Sequence, residues 1–489
     1  MTQKIANFSS LIYINYKILR FKSTKETHLS PERNLKGQTF KSLNFQQNVA
    51  MKVEAVSAES IKPSSPTPSH HREFKFCLLD QLAPPFYVPA ILFYSAPDDK
   101  AALDSASATG NLKTSLSQAL SLFYPLGGRV KGNAAIDCSD DGALYLEAKA
   151  HFELSEVLSN PDINQLQKFL PFSPYRVIPN IEEQVIVGVQ FTFFNCGGIA
   201  IGICISHKIA DGASVSAFLA AWSEISINGV DGEANLKTPF LKASEIFPPK
   251  DINFQMPSGV ISREKLLTKM FRFDGESLGR LRARFGSTAP TRVEAVTALI
   301  WKSAVEAARK RPDWTKKYPP SSAVIHVVNI RSRIRSQPLP ENALGNLWQS
   351  IVAPLMEPNK EAELQDFAGI IRKSISSIDS EYLSALRGEN GLAKACENLT
   401  AARRLAAASA GEIELYRFSS CARFPFYEAD FGWGRPAWVC TTSVPMKNVV
   451  ILMGTKCGDG IEAWITLAEH DMIEFERNDE LLQFIAESP

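Results

Sequence analysis

The sequence lacks an excess of charge of either sign, because 53 Lys and Arg residues stand against 52 Asp and Glu residues in a chain of 489. Non-specific binding of nucleic acid requires a broad basic surface, so no nucleic-acid partner is expected. Cysteine is also scarce. The eight cysteines form neither a C-x-x-C pair nor a spacing typical of zinc ligands, so we expect buried free thiols and no metal.

Only one stretch, residues 185–205, has the length and the apolar character that a transmembrane helix requires. It is rich in Val, Ile and Phe, and its middle carries the string Asn195-Cys196-Gly197-Gly198. This pattern predicts a β-hairpin, with buried strands over 185–194 and 199–206 on either side of a Gly-Gly turn. No membrane association is therefore predicted.

The first fifty residues differ from the rest of the chain in charge. Residues 1–50 contain eight basic and two acidic side chains, together with many Asn, Gln and Ser residues. We expect a disordered N-terminal extension here. The alternative is a transit peptide that directs the protein to a plastid; without one, the cytoplasm is the expected location.

The remaining sequence has the periodicity of a two-domain α/β protein. Apolar residues recur at helical spacing over 111–123 and 213–225, and Thr291-x-x-Glu294 predicts a capping box at the start of a third helix. Residues 247–265 lack any period and are interpreted as an inter-domain linker. The prediction is an N-terminal domain over 51–246 and a similar C-terminal domain over 266–489, with a ligand site between them.

Several catalytic motifs are absent. The chain contains no G-x-S-x-G nucleophile elbow and no P-loop, and the string Asp430-Phe431-Gly432 lacks the other motifs of a protein kinase. The remaining candidate is His207, which follows a predicted buried strand and precedes Asp211 and a predicted helix. An imidazole held at a strand end can exchange a proton near neutral pH, although a structural histidine is also consistent with this pattern.

The chain resembles the BAHD acyltransferase family of plants in an ordered set of strings from Met51 to Pro489. The two defining strings are His207-x-x-x-Asp211 and Asp430-Phe431-Gly432-Trp433-Gly434. Four further strings follow the family order: Leu78-Leu79-Asp80-Gln81-Leu82, Phe123-Tyr124-Pro125-Leu126-Gly127-Gly128-Arg129, Thr291-Arg292-Val293-Glu294-Ala295-Val296 and Val328-Asn329-Ile330-Arg331-Ser332-Arg333.

The resemblance implies two layered αβ domains of chloramphenicol-acetyltransferase type, with a channel between them for an acyl-CoA and an alcohol acceptor. It implies that His207 is the general base of a direct acyl transfer without an acyl-enzyme. Asp211 is then an orienting residue paired with Arg331 or Arg333. Asp430 is expected to be catalytic or to shape the CoA side, with structural roles for Gly432, Trp433 and Gly434.

Further expectations follow from the family. The chain is most similar to the vinorine-synthase-related branch, which implies acetyl-CoA as the co-substrate, a terpenoid or alkaloid alcohol as the acceptor, no permanently bound cofactor and a monomer. Two strings depart from related patterns: Ser419-Ser420-Cys421-Ala422-Arg423, and Ala343-Leu344-Gly345-Asn346-Leu347. A longer or aromatic acyl donor, thioester hydrolysis and non-catalytic ligand binding remain alternatives.

Overall fold

The computed structural model describes residues 51–96, 105–176, 178, 180–230, 236–252, 261–312, 321–334, 339–355, 362–398, 400–401, 404 and 413–486. Its strands are β1 (Val53–Ile61), β2 (Glu73–Lys75), β3 (Tyr87–Tyr94), β4 (Arg129–Lys131), β5 (Ala135–Asp137), β6 (Ala143–Ala150), β7 (Val187–Phe194), β8 (Ile199–Ser206), β9 (Leu266–Phe273), β10 (Ser321–Asn329), β11 (Trp348–Leu355), β12 (Ile413–Ser420), β13 (Trp438–Cys440), β14 (Val449–Gly454) and β15 (Ile461–Ala468).

The helices are α1 (Leu78–Gln81), α2 (Ser105–Leu122), α3 (Leu154–Ser159), α4 (Gly212–Asn228), α5 (Ala243–Ile246), α6 (Gly275–Ala283), α7 (Arg292–Ala308), α8 (Leu364–Ser376), α9 (Ser380–Arg387), α10 (Gly391–Ala395), α11 (Glu469–Phe475) and α12 (Asp479–Leu482). The predicted extension 1–50 and residues 253–260 of the predicted linker lie outside the described residues.

The first sheet contains the predicted hairpin. Its order is β1-β6-β7-β8-β3-β13, and β7 pairs with β8 in antiparallel register. The hairpin prediction for residues 185–206 is therefore confirmed. No helix among the described residues is long and apolar enough to cross a membrane.

Helices α2 and α4 pack against each other beside the first sheet, at the two positions that the apolar periodicity predicted. Trp222 of α4 is completely buried, and its Nε1 donates to the Ser115 Oγ of α2 at 3.0 Å. Leu116 and Phe218 lie in the same buried cluster as the strands. Burial of apolar side chains on one face of each helix thus explains why both predictions hold.

The second sheet has the order β11-β10-β12-β14-β15-β9 and forms its own core with α7 and α8. The predicted capping box is present at the start of α7. Thr291 Oγ1 accepts from Glu294 N at 3.3 Å, and Glu294 Oε2 accepts from Thr291 N at 2.8 Å. The short helix α12 follows α11 and ends at Leu482.

One strand of the C-terminal half completes the first sheet. Trp438 pairs with Phe93 and Cys440 with Ile91, so β13 lies antiparallel to β3. The Trp438 ring also stacks on Phe93, with the ring centroids 5.6 Å apart. The two halves are therefore joined by strand pairing, whereas the predicted domain limits at 246 and 266 remain predictions.

The two sheets also share buried side chains. Met453 of β14 and Trp464 of β15 belong to the same buried cluster as the first sheet, while Leu452 and Ile465 of the same strands belong to the core of the second. Since successive side chains of a strand point to opposite faces, one face of the second sheet packs on its helices. The opposite face is directed toward the first sheet.

We predict that Gly202→Ala strongly destabilises the fold. A Cβ atom on Gly202, in the middle of β8, would lie 1.8 Å from the carbonyl oxygen of Phe169. The backbone must shift to relieve this overlap, and we expect a loss of about 3 kcal/mol or more in the free energy of unfolding. Denaturant unfolding measures this loss.

Gly110→Ala is the matched control. Gly110 lies on the exposed side of α2, and nothing lies within 4 Å of an added Cβ atom. Alanine there should stabilise the protein by about 0.5–1 kcal/mol. Equal stability of the two variants would contradict the packing described at Gly202.

Candidate active site

His207 lies directly after β8, between the first sheet and α4. Its backbone amide donates to the Phe86 carbonyl at 2.7 Å, which ties the residue to the chain just before β3. The imidazole is partly buried, whereas Lys208 and Ser206 on either side are fully buried. The ring is therefore held on a rigid support and keeps access to the space between the two sheets.

The Asn346 amide fixes the tautomer of His207. Asn346 Nδ2 donates to the His207 carbonyl at 2.7 Å and to Asp80 Oδ1 at 3.0 Å. Both of these atoms are hydrogen-bond acceptors, so the amide cannot be turned around. Its Oδ1 then accepts from His207 Nδ1 at 2.8 Å and from Trp348 Nε1 at 3.3 Å. The proton of the neutral ring is on Nδ1, and Nε2 has the free lone pair.

The environment keeps this imidazole neutral. Burial lowers the pKa of His207 below its ordinary value, and the Asp211 charge and the Asn346 hydrogen bond offset only part of that effect. A low-dielectric environment disfavours the charged form of a base. At neutral pH the Nε2 atom is thus in the state that can accept a proton.

Asp211 is the N-cap of α4 and forms a buried ion pair with Arg331. Its carboxylate accepts from Ser214 N at 2.9 Å, as an N-cap does. Arg331 NH1 donates to Oδ2 at 2.8 Å and NH2 donates to Oδ1 at 2.9 Å, a bidentate geometry. Burial raises the pKa of Asp211, but the Arg331 guanidinium and the Ser214 hydrogen bonds lower it by more than burial raises it. The pKa of Asp211 therefore lies below its usual range.

The same ion pair positions the segment 343–347. Arg331 NH2 donates to the carbonyls of Ala343 at 2.9 Å and Gly345 at 3.1 Å, and Asp211 Oδ2 accepts from Leu347 N at 3.1 Å. These contacts hold the backbone on both sides of Asn346. Asp211 therefore acts on His207 through this segment. The sequence left Arg331 and Arg333 open as partners, and the geometry selects Arg331, since Arg333 NH1 donates to the carbonyls of Ile375 and Ile378.

Asp430 lies in a tight turn. Its Oδ1 accepts from Gly432 N at 2.8 Å and Gly434 N at 2.9 Å, and both glycines have positive φ, 101° and 96°. Phe431 is buried against Trp222, with ring centroids 4.8 Å apart. Within the described parts of the chain, no hydrogen bond or ion pair joins Asp430 to His207. The contacts describe a carboxylate that closes a turn, and the catalytic role of Asp430 remains a prediction.

Trp433 also packs within this turn. Its ring stacks on Phe431 at 5.8 Å and meets the edge of Tyr94 at 5.9 Å. Tyr94 Oη donates to the Ala429 carbonyl at 2.9 Å. The segment 429–434 is thus attached to β3 and α4 of the first half, and the structural roles of Gly432, Trp433 and Gly434 remain predictions.

Sequence reasoning did not identify three residues of this site. Asn346 and Trp348 lie beside the imidazole, and Asp80 contacts Asn346. Asp80 lies in α1, and its carboxylate also accepts from Asn346 N at 2.7 Å. The neighbouring Lys208 Nζ donates to the carbonyls of Asp80 and Gln81 at 2.8 and 3.1 Å, so it holds the end of this short helix. The strings that contain Asp80 and Asn346 served only as family and subgroup markers in the sequence, because no local signal indicates that Asp80 meets Asn346 or that Asn346 meets His207.

A pocket of about 520 Å³ lies beyond the carboxyl ends of β12 and β14. Its lining includes the cationic side chains of Arg292, Arg423 and Lys456. A Cβ atom on Gly212, the first residue of α4, would meet the side chains of Cys421 and Phe424 at 3.0 Å. The segment that borders this pocket therefore lies directly against the motif that contains His207. No group of three or more potential metal ligands was found in the described chain.

We predict that Arg331→Ala costs about 3–5 kcal/mol in the free energy of unfolding, because it leaves the buried Asp211 carboxylate without its counter-charge. Chemical denaturation followed by fluorescence measures the change. Arg333→Ala is the matched control and should lower the free energy of unfolding by less. It removes hydrogen bonds to two carbonyls but leaves no buried charge without a counter-charge. A smaller loss for Arg331→Ala than for Arg333→Ala would show that the ion pair does not hold the site together.

Comparison with known proteins identifies relatives over nearly the whole described length. Residues 51–482 match the transferase family. The stemmadenine O-acetyltransferase of Catharanthus roseus is 38% identical over 87% of this chain and 96% of its own length. The limonoid 1-O-acetyltransferase of Citrus sinensis is 34% identical over 89% of this chain and 98% of its own.

Solved structures show the same fold. The crystal structure of vinorine synthase superposes with a TM-score of 0.77 at 35% identity, and covers 89% of this chain and 99% of that one. The TRI101 structure of F. sporotrichioides, a complex with coenzyme A and T-2, has a TM-score of 0.64 at 16% identity over 84% of this chain and 99% of that one, and supports the fold alone. The prediction of two mixed αβ domains is thus confirmed, and the chain belongs to the transferase family of BAHD acyltransferases.

Proposed function

We propose that this protein transfers an acetyl group from acetyl-CoA to a hydroxyl group of a terpenoid or alkaloid, with His207 as the general base. The observation that carries the proposal is the contact of His207 Nδ1 with the Asn346 amide oxygen, because this contact leaves Nε2 as the nitrogen that can accept a proton. Family membership and the named activities of the relatives support the reaction class and the acceptor class. We also propose the state that the sequence predicts, a monomer in the cytoplasm.

The geometry accounts for a direct transfer. The acceptor hydroxyl donates its hydrogen to His207 Nε2, and its oxygen attacks the thioester carbonyl as the proton moves to the ring. The resulting tetrahedral oxyanion collapses and the carbon–sulfur bond breaks. The thiolate of CoA then accepts from the imidazolium the proton that the acceptor hydroxyl gave up. Atoms and charge balance without an acyl-enzyme. The Nδ1–H bond to Asn346 Oδ1 keeps the ring oriented throughout the cycle.

The pocket beside the motif provides a place for the acyl donor. CoA carries several phosphate charges, and the side chains of Arg292, Arg423 and Lys456 supply positive charge around the pocket. Arg423 and Lys456 are exposed. Arg292 NH1 donates to the carbonyls of Gly458 and Asp459 and so orders one side of the pocket. We propose that acetyl-CoA enters here as a co-substrate, without a permanently bound cofactor.

Replacement of His207 tests the base. His207→Ala should lower kcat by about 10² to 10⁴ while the thermal midpoint changes little, since a positioned general base supplies a rate factor of that order. The assay is CoA release by the full chain with acetyl-CoA and a panel of terpenoid and alkaloid alcohols. His151→Ala is the matched control, because His151 is exposed and contacts Glu54.

Each other outcome of this assay has a distinct meaning. Full activity of His207→Ala would disprove the role of His207. Release of CoA without an acceptor would show thioester hydrolysis. Absence of release despite CoA binding, with every acyl donor and acceptor of the panel, would favour a non-catalytic binding protein.

The pH dependence tests the Asn346 contact. Because the pKa of His207 is lowered, its base form persists as pH falls, and the acid limb of kcat/KM should lie below the ordinary histidine value of 6.5. The Asn346 hydrogen bond raises this pKa. Asn346→Ala should therefore move the limb to still lower pH, and should reduce kcat by about 10²-fold through misorientation of the ring.

Asn398→Ala serves as the control for this profile, because its amide donates to the Ser350 carbonyl. It should leave the acid limb unchanged. An acid limb of Asn346→Ala at the wild-type pH would mean that the amide does not contact the titrating group.

A further inference from the structure

The open face of the second sheet contains an arginine in the middle of an apolar surface. Along β11, residues 348, 350, 352 and 354 are half-buried and alternate with fully buried residues, and β10 and β12 show the same alternation near their carboxyl ends. On this face Arg417 of β12 lies in register between Ile325 of β10 and Val449 of β14. The face is directed toward the first sheet, as Met453 and Trp464 show.

The Arg417 guanidinium has no partner in the part of the chain that the structure describes, where no hydrogen bond or ion pair reaches it. Burial lowers the pKa of Arg417, and no opposite charge counteracts the effect. Arg417 itself is half-buried. The fully buried Arg331 is paired with Asp211, and the partly buried Arg311 is paired with Asp471. Arg417 is thus an unpaired cation on an apolar face and keeps some contact with solvent. A ligand that displaces this solvent without supplying a counter-charge would leave a costly uncompensated charge, so the site favours an anionic group.

The register gives the position of Arg417 relative to His207. Asn329 of β10 pairs with Trp348, whose ring centroid is 6.3 Å from that of His207. Arg417 pairs with Ile325, four positions earlier on the same strand. At 3.3 Å per residue, this places Arg417 about 13 Å along the sheet from the level of the base.

Arg417 lies on the opposite side of this level from the pocket proposed for the acyl donor. That pocket is lined by residues 422–428 and 453–458, which follow the carboxyl ends of β12 and β14. Arg417 precedes these ends, as does its neighbour Val449. A group bound at Arg417 therefore belongs to the acceptor and not to the phosphates of CoA.

We propose that Arg417 binds a carboxylate of the acceptor, so that the preferred substrate is a hydroxy acid whose hydroxyl and carboxylate groups lie far apart on its skeleton. This inference rests on the proposed function. A planar guanidinium matches a carboxylate with two parallel hydrogen bonds, and a multi-ring skeleton fits the apolar residues beside it. An acceptor with a protonated amine at this position is disfavoured by like charge.

The experiment compares acids with their esters. Calorimetry measures the binding of fused-ring terpenoid hydroxy acids and of their methyl esters to the full chain, and an acetyl-transfer assay gives kcat/KM for the same pairs. The variants are Arg417→Gln, which removes the charge, and Arg417→Lys, which keeps it. Arg280→Gln is the control, since Arg280 is exposed and pairs with Glu276 on α6.

We expect the wild type and Arg280→Gln to bind the best acid about tenfold or more tightly than its ester, the order expected for a hydrogen bond between charged groups. Arg417→Gln should lose this difference and Arg417→Lys should keep part of it. The thermal midpoint of Arg417→Gln should be equal to or above that of the wild type, because the variant removes an unpaired charge from a half-buried position. A lower midpoint would reveal a structural partner and overturn the inference.

The two proposals fail in different ways. If the acids bind through Arg417 and no acetyl transfer occurs with any acceptor, the acyltransferase proposal fails and the carboxylate site stands. If transfer occurs but the wild type shows no preference for acids, or if Arg417→Gln keeps the preference, the carboxylate site is wrong and the acyltransferase proposal stands.

Discussion

The buried ion pair between Asp211 and Arg331 is the interaction on which the arrangement of the candidate site depends. It connects the start of α4, beside the first sheet, to the segment that follows β10 in the second sheet. The attraction of a buried pair repays its desolvation only when the geometry is good and the other polar atoms are satisfied. Here the carboxylate accepts from Ser214 and Leu347 as well. The pair therefore specifies how the two halves meet, and it does so at the motif itself.

The position of the proposed base follows from that pair through short steps. Arg331 holds the carbonyls on one side of Asn346, and Asp80 accepts from both its backbone and its side-chain nitrogen. These hydrogen bonds fix the orientation of the Asn346 amide, so that its oxygen accepts from His207 Nδ1. Burial around the ring then favours the neutral form. The orientation and the protonation state of the His207 ring thus have one origin, the dense packing where the two sheets approach each other.

The sequence predicted the elements but not all of their contacts. Helices α2 and α4, the β7–β8 hairpin and the capping box of α7 depend on local periodicity, turn residues and short-range hydrogen bonds, and each was predicted from its own segment. The pairing of β13 with β3 and the Asn346 contact to His207 join distant parts of the chain. Local patterns contain no information about such partners. Local context made His207 a candidate, and family resemblance supplied its role and that of Asp211. The choice of Arg331 over Arg333 required the three-dimensional structure.

The fully buried Arg331 and the half-buried Arg417 show that arginine has two different roles in this protein. The terminal nitrogens of Arg331 donate to a carboxylate and to two carbonyls, so its charge is balanced within the chain and its role is architectural. Arg417 lies on a face built from alternating apolar side chains, and none of the described residues balances its charge. A ligand that fills the space beside Arg417 displaces water from its guanidinium, and the loss of this solvation is costly unless it is replaced. An acceptor with a carboxylate supplies the missing counter-charge, whereas an uncharged acceptor of similar shape leaves the guanidinium unpaired. The resulting difference in binding free energy selects between the two.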